Sequence, residues 1–133
     1  MKKFFNILML ILLIAAIFVF YEEMKSIRID AVDLSKEYTR NKNEADKRFL
    51  QKEIEITGIV KAHYSLNQIG EMLQLKTDSN SVNIYCFFQN KSDEMKASQL
   101  QPNDTLTAMG ICVRTDKYKF IKGIKIEVKK IKE

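Results

Sequence analysis

A single histidine, His63, and two cysteines, Cys86 and Cys112, are the only residues of their kinds in this 133-residue chain. No cysteine or carboxylate stands at a ligand spacing from His63, so neither a metal set nor a nucleophile with its base is spelled out. The expectation is a protein with no catalytic residues, no bound metal and no cofactor, and His63 reads as a surface or loop residue. Charge is also missing from one stretch: Phe4 to Tyr21 reads FFNILMLILLIAAIFVFY, with one polar side chain and no ionised one. Its exit, IFVFYEEM, has no small-x-small cleavage site, and no cysteine follows to accept a lipid.

What is present in that stretch is close to the apolar length that crosses a bilayer as a helix. Lys2 and Lys3 precede it and Glu22 and Glu23 follow, so the positive-inside rule keeps the N-terminus in the cytoplasm. A cleavable signal peptide is the alternative; the missing cleavage site favours an uncleaved signal anchor. The sequence divides into an anchor over 1–21, a linker over 22–29 and one exported domain over 30–133. A bacterial cytoplasmic membrane protein of one pass, with its domain outside, is the expected location. The formal charge of +5 is unevenly spread, since Glu22 to Val113 holds 12 basic and 14 acidic residues and Arg114 to Glu133 holds 8 and 3. A lysine-rich outer strand face, solvated and guarding an edge, accounts for that tail.

The rest of the chain is organised around Glu53–Ala62, EIEITGIVKA. Its alternation places Ile54, Ile56, Val60 and Ala62 on one face and Glu53, Glu55, Thr57 and Lys61 on the other, with Gly58 at a bend or bulge. Before it, Asp30 reads as the cap of a helix whose narrow stripe is Ala31, Leu34 and Tyr38, with Ile29 and Leu34 as a staple. Ala45 and Phe49 pin the following segment to the core. Tyr64 to Gly70 reads as a turn, Met72–Thr77 as a strand with Leu73 and Leu75 inward, and Asp78–Ser81 as a hairpin turn. The next strand, Val82–Phe88, turns Val82, Ile84, Cys86 and Phe88 inward and Asn83, Tyr85 and Phe87 outward. Lys91–Gln101 is a short helix closed by Pro102–Asp104. Thr105–Val113 then turns Leu106, Ala108, Gly110 and Cys112 inward, and Gly123–Lys129 does the same with Ile124, Ile126 and Val128.

Five strands with a helical connection between the third and fourth follow the element order of the OB fold, a Greek-key barrel that closes on itself. With the leading helix included, the pieces Ala31, Leu34, Tyr38, Asn43, Ala45 and Asp46, then Ile56–Val60, Tyr85–Phe88 and Met109–Cys112, resemble the tRNA_anti-like family. The resemblance spans about Asp30 to Val128. It implies a mainly β, five-stranded OB-fold barrel with a leading α-helix, in a family of bacterial proteins that sit behind a signal peptide or a membrane segment.

Two sites are open to question at this stage. Cys86 and Cys112 both fall on inward faces, as independent buried thiols or as a disulfide across the core. Gln74, Lys76, Asn83, Tyr85 and Phe87 form the candidate ligand-binding face, a stacking platform of the kind OB folds use. The leading helix is expected to fold over Tyr85 and Phe87 through Leu34 and Tyr38. The function expected is a membrane-anchored, non-enzymatic binding or interaction module with a protein, peptide or glycan ligand. The alternative is a single-stranded nucleic-acid-binding domain, with Tyr85 and Phe87 stacking and Lys76, Lys117, Lys119, Lys122 and Lys125 on phosphates.

Overall fold

The alternating strand runs further than its sequence pattern suggests. In a computed structural model that describes residues 2–24, 26–67, 70–114 and 123–132, the side chains of 22–24 and 114 apart, it spans Glu53–Leu66 and is labelled β2. Ahead of it lie α1 (Lys2–Met24), β1 (Ile27–Asp30), α2 (Ala31–Arg40) and α3 (Lys42–Phe49); after it come β3 (Gly70–Leu75), β4 (Ile84–Phe88), α4 (Lys91–Ser98), β5 (Thr105–Arg114) and β6 (Ile124–Lys132). The first half of β2 pairs with β5 from Glu53 to Ile59, and the second half with β3 from Val60 to Leu66. Hydrogen bonding continues through β3, β4, β6 and β5 and returns to β2, with only β4 and β6 parallel among the five. This is the closed five-stranded OB-fold barrel that the order of elements predicts.

The barrel interior follows the period-two pattern. Ile54, Ile56, Val60, Leu73, Leu75, Ile84, Cys86, Leu106, Ala108, Cys112, Ile126 and Val128 are almost wholly removed from solvent. Ala62 is a correction to the expected inward set. The register slips between Val60 and Ala62, so Lys61 is the extra residue of a bulge and the alternation changes phase there. Beyond it, Ala62 pairs with Gln74 and Tyr64 with Met72 on the outer face, while His63 shares the inward side with Leu73. The expected turn from Tyr64 is thereby postponed to the residues after Leu66.

Helices α2 and α3 cap the barrel and complete its core. Ala31, Leu34, Ser35 and Tyr38 are buried from α2, as are Ala45 and Phe49 from α3. The Tyr38 and Phe49 rings meet at 6.3 Å between centroids, and the Arg48 guanidinium stacks 4.8 Å above the Phe49 ring. Gly58 is the seat for α2, because a Cβ there would stand 2.9 Å from the Cβ of Ala31. Residues 27–29, read from sequence as linker, form most of β1, whose Ile27 and Ile29 pack on the core beside Ile54 and Ile56. Asp30 stands at the helix boundary but its side chain makes no capping bond. It is the last residue of β1, in register with Thr57, and its exposed side chain turns outward. Side-chain caps occur instead at Asn41, which accepts from Glu44 N–H at 3.2 Å, and at Asn90, which accepts from Asp93 N–H at 2.8 Å.

Candidate ligand face and family

The second half of β2, together with β3, β4 and β6, turns an outward surface away from both helices. Its register builds two rows: Tyr64, Met72, Phe87 and Glu127 in one, and Ala62, Gln74, Tyr85 and Lys125 in the other. Gln74, Tyr85 and Phe87 of the expected face are therefore neighbours. Tyr64 O–H donates to Gln74 Oε1 at 3.3 Å, and Lys125 Nζ lies 4.9 Å from the centre of the Phe87 ring and 3.3 Å from Glu127.

The helix does not cover this surface, contrary to the expectation from Leu34 and Tyr38. Those two side chains are drawn into the main core, where the barrel needs a plug, and on the β4 side α2 bonds to Val82, ahead of the strand. There Ser35 O–H donates to the Val82 carbonyl, and Thr39 Oγ1 accepts from Val82 N–H at 2.9 Å. Phe87 instead belongs to a separate cluster with Met72, Leu66 and Tyr85, and is only 6% exposed, while Gln74 is 7% exposed. The aromatic surface left open to solvent on this face is that of Tyr64, 42% exposed, and the half-buried Tyr85. Burial pushes the Tyr85 phenol above its ordinary range, the nearby Tyr64 adds to the rise, and the Asn83 side chain opposes it. Asn83 thus borders the site, with its carbonyl accepting from Ile124 N–H at 2.8 Å. Lys76 leaves it, since its amine bonds the Asn103 side chain. Sequence reasoning missed Tyr64, Leu66 and Met72. The signal for the first two was the alternation Ala62, Tyr64, Leu66, hidden by the phase change at Lys61.

Cys86 and Cys112 are free thiols. Both are in register with Ile126, one across β4–β6 and the other across β6–β5, so a whole strand separates them. Two strand spacings come to about 9.6 Å, beyond the reach of about 7 Å between Cα atoms that a disulfide tolerates. Burial raises the Cys86 thiol to about 12 and the Cys112 thiol, 3.7 Å from Tyr38 Oη, to about 11. Neither is a thiolate near neutrality. A maleimide or aromatic disulfide reagent at neutral pH is expected to leave the native chain unlabelled and to modify two thiols once it is unfolded. Fast labelling of the folded chain would contradict this packing.

His63 is not isolated. It sits within β2 with its Nε2 against Glu71, whose carboxylate also accepts from Ser65 Oγ at 2.9 and 3.0 Å. Glu94 of α4 accepts from Glu71 N–H at 3.2 Å, tying the helix to this hairpin. The bond from His63 is the largest of the causes that hold the Glu71 carboxyl below its usual 4.5. Because the folded value is the lower one, Glu71 stabilises the fold above about 4.5, and that contribution disappears as pH falls through the depressed value. Thermal melts of the native chain and of Glu71→Gln are expected to converge on acidification. A gap between them that stays constant with pH would show that the carboxylate is not the stabilising form. Among the described residues, no three His, Cys, Asp or Glu side chains gather in a metal-binding group.

An open cleft of about 550 Å³ lies between β1, α2 and α3, lined by Arg28, Asp33, Lys36, Glu37, Arg48 and Glu55 among others. Its charges answer one another: Glu37 accepts from Arg40 at 3.1 Å and Arg48 at 3.2 Å, and Glu55 stands between Lys132 and Arg28, the latter at 3.0 Å.

The closed barrel, the plugging helices and the outward strand face define an OB-fold domain. The chain belongs to the tRNA_anti-like family, which it matches over residues 1–122. Among solved structures, a putative aspartyl-tRNA synthetase from Leishmania major Friedlin is similar with a TM-score of 0.53 and 14% identity, over 80% of this chain and 20% of that one. OBody AM2EP06 bound to hen egg-white lysozyme is similar with a TM-score of 0.50 and 15% identity, over 63% and 81%. The asparaginyl-tRNA synthetase of Pyrococcus horikoshii gives 0.49 and 15%, over 64% and 19%. This chain therefore spans about a fifth of the length of the two synthetases, and the likeness is one of fold. No curated protein matches the chain.

Proposed function

We propose that the protein is a non-enzymatic binding module, tethered to the bacterial cytoplasmic membrane by Phe4 to Tyr21 with its domain outside, and that its ligand, a protein, peptide or glycan, sits on the face around Tyr64, Gln74 and Tyr85. The observation that carries the tethering is the contrast between two parts of one chain. The barrel buries its own core, whereas α1 leaves every apolar side chain from Phe4 to Tyr21 exposed over a 20-residue stretch, Lys2–Tyr21, long enough to cross a bilayer. Lys2 and Lys3 ahead of the span support the outward orientation. Binding rather than catalysis is supported by what the face offers, which is phenols, an amide and an apolar floor. Protease added to spheroplasts is expected to digest the domain and leave α1 with the membrane. A domain that stays protected, or a soluble chain trimmed at its N-terminus, overturns the anchored topology.

A second reading, single-stranded nucleic-acid binding, is favoured by the family and by the synthetase domains that share the fold. On this face Tyr64 and Tyr85 would stack, and Lys125 is the one lysine of the expected phosphate set placed here. Lys117, Lys119 and Lys122 lie outside the described residues. Oligonucleotide binding would weaken steeply with salt, and Tyr85→Ala would cost about 1–3 kcal/mol. Binding that is equally tight in the variant and indifferent to salt would discard this reading.

A further inference from the structure

The strand face around Gln74 leaves hydrogen-bonding groups unused in a pattern that narrows its ligand. Gln74 is only 7% exposed, and its Oε1 accepts from the Tyr64 phenol at 3.3 Å. Its amide nitrogen bonds no described residue and yet is not sealed from solvent, so a nearly buried side chain holds its N–H donors open onto the face. Tyr64 donates its one proton to Gln74, which leaves the phenol oxygen as an acceptor. Tyr85 stands in register with Gln74, and the Asn83 side chain meets its phenol oxygen as a donor, so the Tyr85 proton is available to a ligand.

The charges of this face cancel. Lys125 and Glu127 are the charged residues of its two rows; they stand 3.3 Å apart, and the Lys125 side chain is 14% exposed with its amine over the Phe87 ring. A phosphate would have to displace Glu127 from that amine, whereas an uncharged ligand leaves the pair intact. An extended peptide finds no strand edge here either, because β3 is hydrogen-bonded to β2 and β4, and β4 to β3 and β6. A pyranose ring fits both conditions: its C–H face lies against a phenol ring, and its hydroxyls donate and accept around the rim. We propose that the surface of Tyr64, Gln74 and Tyr85 binds an uncharged chain of pyranose sugars, with one ring stacked on Tyr64 and its hydroxyls on the Gln74 amide and the Tyr85 phenol. The ligand class rests on the reading of this face as a binding site and narrows that reading to one chemistry.

The test uses the full chain in phosphatidylcholine nanodiscs, with cellotetraose, the tetramer of N-acetylglucosamine, a proline-rich peptide and a single-stranded oligonucleotide as probes, read by saturation-transfer NMR and calorimetry. At least one of the two sugars is expected to bind, with an affinity that stays level as salt is raised. Tyr64→Ala is expected to weaken that binding about tenfold, and Tyr64→Phe, which keeps the ring, no more than about threefold. Tyr64 is exposed, so both variants are expected to melt with the native chain. Gln74→Met, similar in length but without donors, is expected to weaken sugar binding about two- to tenfold. Binding of neither sugar, or binding that Tyr64→Ala and Gln74→Met leave unchanged, overturns the ligand class. Peptide binding in its place leaves the binding module standing, whereas oligonucleotide binding that falls with salt overturns the ligand class and the protein, peptide or glycan reading together.

Discussion

Phe49→Ala and Leu34→Ala are each expected to destabilise the domain by about 2–5 kcal/mol, since both side chains are fully buried and neither helix can collapse into the space without leaving the barrel end. Tyr38→Ala belongs with them, losing its contact with Phe49 and a buried phenol at 3.7 Å from Cys112 Sγ. The comparison is Lys36→Ala, on the other side of α2, whose ion pair with Asp78 spans 3.5 Å with both side chains 58% exposed. That variant is expected to stay within about 0.5 kcal/mol of the native chain. Chemical denaturation of the full chain in detergent, followed by near-ultraviolet circular dichroism, reads the difference. If Leu34→Ala melts no earlier than Lys36→Ala, α2 is a spacer rather than the plug of the barrel.

Gly110→Ala is the second substitution with a large expected effect. A Cβ at this position would lie 2.5 Å from the Glu127 carbonyl oxygen and 2.9 Å from the Cα of Val128, both backbone atoms of the neighbouring strand. The β5–β6 register slips between Met109 and Gly110, so the two chains are pressed together just where one of them bulges. A side chain could yield, but a paired strand cannot without losing ladder bonds, and overpacking of this sort costs about 1–3 kcal/mol or more. Gly58→Ala clashes differently, with the Cβ of Ala31 at 2.9 Å and the Leu75 side chain at 3.0 Å, so its cost falls on the seating of α2 rather than on a strand pair. The Gly110 variant is expected to melt lower and to lose amide-exchange protection along β6. Protection in β6 equal to that of the native chain would refute the tight strand contact.

The core was legible because alternation is a local property. Ile54, Ile56, Leu73, Ile84, Leu106, Ile126 and Val128 could be placed inward from spacing alone, and each is buried. The stripe Ala31, Leu34 and Tyr38 was equally plain, yet its destination was misjudged. An apolar stripe announces that it will be covered without saying by what, and the barrel end proved a deeper sink than the strand face. The candidate site was read less well for a related reason. Gln74, Tyr85 and Phe87 were placed on the right side of their strands, but how far each one reaches solvent depends on Tyr64, Leu66, Met72 and Lys125, which come from three strands.

By itself the sequence determined the exposed apolar segment from Phe4 to Tyr21, the inward residues of each strand up to the first irregularity, and the OB-fold order of elements. All of these depend on runs and periods within about twenty residues, where sequence distance and spatial distance still correspond. Only the tertiary structure decided the phase change at Lys61, the pairing of β1 with β2, the separation of Cys86 from Cys112 by the strand that carries Ile126, and the burial of Phe87 away from α2. A bulge arises where two strands must curve together to close a barrel, and a disulfide needs two Cα atoms within about 7 Å, so both are set by how strands are arranged in space and by no residue alone.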